Sequence, residues 1–259
     1  MDIFAFLSLA AGLVLMGIGV AMEGITLDQL IQITAFLIVM GGSFGATMLC
    51  FPIEDVITAI KSLKIAFFSS PPKLAPLIKE MVTYAQTARK EGVIAFEKLA
   101  KTASDPLLAL GLESVADGAD PTLVRTMLET QLAQEEAKVE VGAKFWESWG
   151  AISPTIGIIG AVMGLIVVMQ NLSDPSALGA GIAVAFVATI YGLIWANMFA
   201  IPVSTRIKFK YKKIVTSKEL IIEGIISIQA GESPALIERK LSTYLMDGAQ
   251  QPAPKKKEE

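Results

Sequence analysis

The sequence predicts an all-α protein, a four-transmembrane-helix membrane protein with a helical cytoplasmic domain between spans two and three. Three observations carry this. All 22 Lys and Arg residues fall in two blocks, Lys61 to Lys144 and Arg206 to Lys257, so 1–60 and 145–205 hold no cation. Those two stretches are the most apolar parts of a chain that is 53% hydrophobic, with a mean hydropathy of +0.57. No segment alternates with the period of a strand.

A spanning helix needs roughly 20 mostly apolar residues. The first cation-free stretch holds two such runs, 3–22 and 29–51, and the second holds 150–172 and 178–201. Short connectors, Glu23 to Asp28 and Ser173 to Ala177, make each pair a hairpin. Lys and Arg collect on the cytoplasmic side of a bilayer, which puts both basic blocks and both termini there. The first run lacks a basic leader and is followed at once by a second, so it reads as a span rather than a cleaved signal. The expected division is 1–51 (spans one and two), 52–149 (cytoplasmic helices), 150–201 (spans three and four), 202–246 (C-terminal helices) and 247–259 (a polar, disordered tail).

Within 52–149 the punctuation is local. Ile53, Val56, Ile57, Ile60 and Leu63 recur at helical spacing after Pro52. Two readings stay open for this stretch: a helix lying on the membrane surface, or a packed helix. Ser69-Ser70-Pro71-Pro72 ends it, and a helix restarts through Leu77, Ile78, Met81, Ala85 and Ala88 up to Gly92. Short helices follow over 93–102 and from Asp105-Pro106. Asp120-Pro121 is a start signal, with Asp as N-cap and Pro in the first turn, and the helix it opens is expected to run unbroken into span three. Beyond span four, helices are expected over 203–230 and, from Ser233-Pro234, over 234–246.

The composition excludes several kinds of function. The chain has no His and one cysteine, Cys50, so it forms no internal disulfide and carries no zinc, haem or iron–sulfur spacing. A net charge of −3 is too small to imply a nucleic-acid partner. No nucleophile and base can be paired, which argues against an enzyme. Intramembrane ionisable groups are how proteins relay protons or hold ions at mid-depth. Here the acids of spans one and two sit near their ends, at Asp2, Glu23 and Asp28, and spans three and four hold none. Such a chain cannot carry an ion alone.

Spans three and four do carry hydroxyls and prolines: Ser153, Pro154, Thr155, Thr189, Tyr191, Asn197 and Pro202. Either they line an ion path whose charge lies on another chain, or Pro154 bends its helix and the hydroxyls bond back to their own backbone. Gly157, Gly160 and Gly164, then Gly181, Ala185, Ala188, Gly192 and Ala196, and in span two Gly41, Gly42 and Gly45, form small-residue faces suited to close helix contact. Their number implies oligomerisation. In the cytoplasmic segment Arg89, Lys90, Glu91, Glu97 and Lys98 make a charged corner around Gly92, which from charge alone reads as a solvated face.

Several of these stretches, in this order, resemble the A subunit of the bacterial flagellar stator, the MotA/PomA family, itself related to the ExbB/TolQ proton-channel proteins. They are FLIVMGGSFGA (36–46), ARKEGVIAFE (88–97), SVADGADP (114–121), SPTIGIIGAVMG (153–164) and ATIYGLIWANMFAIP (188–202). The resemblance covers nearly the whole chain apart from the tail. It implies a multi-pass protein of the bacterial inner membrane that forms a homopentamer around two MotB/PomB-type B subunits. Each B subunit supplies an ion-carrying Asp, and ion flow turns the ring against the rotor protein FliG. By position, Arg89 and Glu97, with Lys90 beside them, match rotor-contacting charges. Pro154 and Pro202 match the prolines tied to torque, and Thr189 matches the hydroxyl facing the B-subunit Asp. Ala161 stands where sodium-driven members carry a second Thr, which implies H+ as the transported ion, with Na+ and a sodium-driven stator of the same family as the alternative. No cofactor is implied. The rival readings are an ExbB/TolQ-type energiser, a transporter acting alone and a membrane scaffold. The first usually has three spans, and the second needs an acid that this chain lacks. The third predicts that Thr189 and Pro154 tolerate substitution.

Overall fold

The computed structural model describes residues 2–70, 72–92, 94–170 and 175–245, and among these it is helical with no strand. The tail at 247–259 and residues 171–174 of the second connector lie outside them. The chain folds into two compact units, Met1–Ser70 with Lys138–Lys210, and Pro71–Ala137 with Tyr211–Glu259.

The first unit opens with α1 (Ile3–Met22), a helix in which Ala5 alone is buried. α2 (Leu27–Leu30) follows, then a break at Ile31–Gln32, then α3 (Ile33–Phe36), a π-helical turn π1 (Leu37–Gly41) and α4 (Gly42–Leu49). A continuous helix from 29 was expected here. The break forms because the Tyr191 hydroxyl takes over the backbone pairing, donating to the Leu30 carbonyl at 2.5 Å and accepting from the Gln32 N–H at 3.1 Å. α5 (Ile53–Phe67) buries Val56, Ala59, Ser62 and Ala66. Ile53, Ile57 and Ile60 lie on its exposed face.

Pro121–Gln170 (α9) is one 50-residue helix with Pro154 inside it, as expected from the absence of any other break after Asp120-Pro121. α10 (Pro175–Ile194) continues through a π-helical stretch, π2 (Trp195–Ala200), into α11 (Ile201–Gln229). This differs from the separate helix expected at 203. The reason is the wide turn: the Ile201 N–H bonds to the Ala196 carbonyl five residues back, and that slip of register makes room for the Pro202 ring directly after it. Two helices of the first unit, the apolar parts of α1 and α9, and a third made of Gly181–Gln229 are long and apolar enough to cross a membrane. Ile33–Leu49 is a shorter apolar helix.

An aromatic cluster fills one end of the first unit. Phe145 is fully buried. Trp149 lies 5.6 Å from Trp146 and 4.4 Å from Trp195 between ring centroids. The indole N–H groups of Trp146 and Trp149 are tied to the Ala59 carbonyl and to Ser43 Oγ, each at 2.9 Å, the usual requirement when a Trp is buried.

The second unit packs α6 (Leu74–Glu91), α7 (Ile94–Thr102), α8 (Pro106–Ala116), the start of α9, the end of α11 and α12 (Pro234–Leu241). Its core is built from Met81, Leu108, Leu112, Leu128, Ile221, Ile225, Ile237 and Leu241. The Asp-Pro and Ser-Pro signals act as read: Asp105 caps Leu107 N and Asp120 caps Thr122 N, each at 2.8 Å, and Ser233 caps Leu236 N at 3.2 Å. Glu223 joins three elements by pairing with Arg125 of α9 and Lys240 of α12. Burial raises the Glu223 carboxyl, but hydrogen bonds from Lys240 and Arg125 outweigh it and hold the group below its ordinary range.

Candidate functional site

α9 and α10 meet along one glycine-lined seam that carries Ser153, Pro154 and Thr189. A Cβ built on Gly192 would lie 2.5 Å from the Ser153 carbonyl oxygen and 3.1 Å from Pro154 Cα. One turn along, a Cβ on Gly157 would lie 3.0 Å from the Ala188 carbonyl and 3.3 Å from Thr189 Cα. Further on, Gly164 faces Gly181 and Ala185, its Cβ position 2.8 Å from backbone atoms of both. The two helices are in backbone contact, and this brings Pro154 and Thr189 onto adjacent turns of the same seam.

The small-residue faces of α9 and α10 are packed within the chain, so the oligomerisation expected from the number of such faces does not rest on these two. Gly157, Gly160, Gly164, Gly181, Ala185, Ala188 and Gly192 are used up within the chain. Gly41 and Gly45 stay open, with nothing within 4 Å, as do large apolar side chains including Ile158, Val162, Leu165, Phe186 and Leu193, which are 47% to 69% exposed.

Each hydroxyl of the seam bonds back to its own helix. Ser153 Oγ donates to the Trp149 carbonyl and Thr155 Oγ1 to the Ile152 carbonyl, both at 2.6 Å. Thr189 Oγ1 donates to the Ala185 carbonyl at 3.2 Å. A hydroxyl that donates to backbone keeps lone pairs free to accept, so Thr189 can still receive a hydrogen bond from a water or an acid. Thr155 is exposed and Ala161 half-buried on α9. Tyr191 is turned away to the helix break, and Pro202 is exposed at the start of α11. Of the six residues singled out on these helices, the seam brings Pro154 and Thr189 onto adjacent turns.

Arg89, Lys90 and Glu97 lie in the second unit and are exposed. Gly92 ends α6 with φ +70°, its N–H on the Ala88 carbonyl, which separates the Arg89–Lys90 end of α6 from Glu97 on α7. Arg89 reaches the Gly231 carbonyl at 3.4 Å.

One cluster escaped sequence reading. Asp2 pairs with Arg206 and, at 3.1 Å, with Lys210. The same three residues cap the end of α5: Asp2 N–H donates to the Phe67 carbonyl at 2.9 Å, Arg206 Nε to the Ala66 carbonyl at 2.8 Å and Lys210 to the Ser69 carbonyl at 2.8 Å. A lone acid before an apolar run and a basic run after another were its only signal. The Lys210 hydrogen bond, with the Arg206 guanidinium adding to it against partial burial, holds the Asp2 carboxyl below its usual range. A depressed carboxylate stabilises above its unfolded pKa, and that contribution is lost as pH falls through the folded value. The melting temperature of wild type minus that of Asp2→Asn is therefore expected to stay constant from about pH 8 to 5 and to shrink below about pH 4. A difference independent of pH down to about pH 2 would remove the ion pair from the account.

Residues 99–220 match the MotA/TolQ/ExbB proton channel family. Over 247 residues the chain is 35% identical to Motility protein A of Aquifex aeolicus, an alignment covering 95% of this chain and 97% of that protein. Among solved structures, Campylobacter jejuni MotAB superposes with a TM-score of 0.90 at 28% identity, covering 97% of this chain and 98% of that one. The flagellar MotAB stator complex of Bacillus subtilis gives 0.85 at 28% identity, covering 95% of each. These likenesses define the class, an ion-channel subunit of helical membrane type. The chain belongs to the MotA/TolQ/ExbB proton channel family, on its motility protein A branch.

Proposed function

We propose that this chain is the A subunit of a bacterial flagellar stator, a torque-generating unit that conducts protons. The observation that carries the reading is the pairing of near full-length likeness to MotAB complexes with apolar helices that hold no acid between Gly150 and Gln170 or between Pro175 and Ala200. The ion-carrying carboxyl must then come from a B-type partner with a single span. Four spans, of which Ile33–Leu49 is the shortest, both termini on the cytoplasmic side and a pentameric ring around the partner complete the arrangement. The exposed apolar faces of α9 and α10 support it, because a second chain or lipid has to cover them.

In this mechanism the partner's Asp, when protonated, donates to Thr189 Oγ1, and on losing its proton it leaves a neutral hydroxyl that imposes no charge of its own. Pro154 supplies no backbone N–H, so the Gly150 carbonyl one turn earlier has no partner from it, and Gly192 packs against Ser153 and Pro154 themselves. A shift of the partner is thereby read by the α9–α10 seam. Arg89, Lys90 and Glu97 present charges to the rotor, for which FliG is the expected contact. The methyl of Ala161 offers no oxygen where a sodium site would gain one, which favours H+ over Na+, since sodium binding needs several oxygen ligands.

Expressing the chain with its single-span partner in a strain lacking its own stator is expected to restore swimming with sodium replaced by potassium. Pro154→Ala is expected to leave the assembled complex recoverable and to cut swimming at least about ten-fold. Strict sodium dependence would overturn the ion assignment, and failure of any single-span partner to co-purify would overturn the stator reading.

A further inference from the structure

α1 meets the rest of its unit along one face, made of Asp2, Ala5, Leu9 and Gly12 with Ser8 beside them. That face touches at both ends and, through Phe6 beside it, against Phe67 at 5.2 Å between ring centroids, leaving a crevice next to Ser8 and Leu9. At one end Asp2 holds Arg206 and Lys210. At the other, a Cβ on Gly12 would lie 2.7 Å from Met198 Cε, so the helix comes directly against π2. Between these points the facing side chains of Ala5 and Ser8 are too small to fill the gap. Opposite them the backbone is widened by π2 and Pro202. The result is a crevice of about 260 Å³, walled by Leu9, Phe67, Met198 and Phe199 and ended by Arg206.

The walls and the end of this crevice differ in chemistry. The walls are mainly apolar, with Ser8 and Asn197 as polar members, and α1 also carries Phe4, Leu7 and Leu15, 64% to 72% exposed. The end is cationic. Arg206 uses Nε for the Ala66 carbonyl and one terminal nitrogen for Asp2, while its other terminal nitrogen is in neither bond. The sequence there reads RIKFKYKK, five cations in the eight residues from Arg206 to Lys213. A run of Lys and Arg directly cytoplasmic of a spanning helix attracts anionic headgroups.

We propose that the crevice binds one anionic membrane phospholipid per chain, an acyl chain lying between α1 and π2 and the phosphate resting on Arg206. Inorganic phosphate would gain nothing from the apolar walls, and a neutral lipid would gain little from the cationic end. The inference rests on the membrane-spanning reading above. The lipid fills the crevice left between the contacts that α1 already makes at Asp2 and at Gly12.

The test is native mass spectrometry of the full chain, purified with its partner from nanodiscs of equal phosphatidylglycerol and phosphatidylcholine. Wild type is expected to retain one phosphatidylglycerol per chain, about five-fold over phosphatidylcholine. Arg206→Gln is expected to erase that preference. Ser8→Phe, which fills the crevice from an exposed position and leaves the ion pairs intact, is expected to remove the bound lipid of either kind. Equal retention of the two lipids by wild type, no retained lipid because a neighbouring copy fills the crevice, or full retention by Ser8→Phe would each overturn the proposal. Fractionation of the same cells separates this from the spanning reading, because a chain recovered outside the membrane fraction would overturn both.

Discussion

Gly192→Ala is expected to abolish swimming and to lower the yield of assembled complex several-fold. The added methyl would sit 2.5 Å from the Ser153 carbonyl and 3.1 Å from Pro154 Cα. Both obstacles are backbone, so no side chain can rotate away, and α9 must move off α10 as a whole. Overpacking of this kind costs about 1–3 kcal/mol even where side chains can yield. Here the movement also opens the seam that carries Thr189. Gly179→Ala, where nothing lies within 4 Å, is the matched control and is expected to leave swimming and yield unchanged. Equal effects of the two substitutions, read by swimming diameter and by complex yield, would show that the close approach at Gly192 does not matter.

Tyr191→Phe is the second large effect. One hydroxyl satisfies two backbone groups across the break at Ile31–Gln32, the Leu30 carbonyl and the Gln32 N–H. Removing it keeps the ring, with its edge-on contact to Phe36 at 6.3 Å, and leaves both groups without their partner. An orphaned polar group costs about 1–3 kcal/mol when fully buried, and here two partly buried groups are orphaned at once. The expected result is a melting temperature lowered by several degrees and faster hydrogen exchange at Gln32, with exchange in α11 unchanged. Unchanged exchange at Gln32 would mean that another group holds the break.

Elements bounded by strong local chemistry were legible in the sequence. Asp105-Pro106, Asp120-Pro121 and Ser233-Pro234 each fix a helix start through one side-chain cap, and such caps depend on neighbours in the chain alone. The unbroken α9 followed from the same logic. Features set by contacts distant in sequence were not legible. Gln32 lies 159 positions from the hydroxyl that breaks its helix, and Asp2 lies 204 positions from Arg206. The π turns at Leu37–Gly41 and Trp195–Ala200 have no composition of their own. The small-residue faces were visible, but whether a glycine stripe meets its own chain or another is a matter of tertiary structure, and the sequence could not decide it. Among the site residues, Pro154 and Thr189 were singled out separately. Only the approach of Gly157 and Gly192 makes them neighbours.

In the proposed function, an uncharged helical sleeve moves an ion only once another protein supplies a titrating group. The direct measurement is proton flux into proteoliposomes holding the chain alone or the chain with its single-span partner, at equal protein density and with a potassium diffusion potential. The expected result is flux in the second preparation only, lost when the partner's membrane Asp is replaced by Asn. Equal flux from the chain alone would contradict the account.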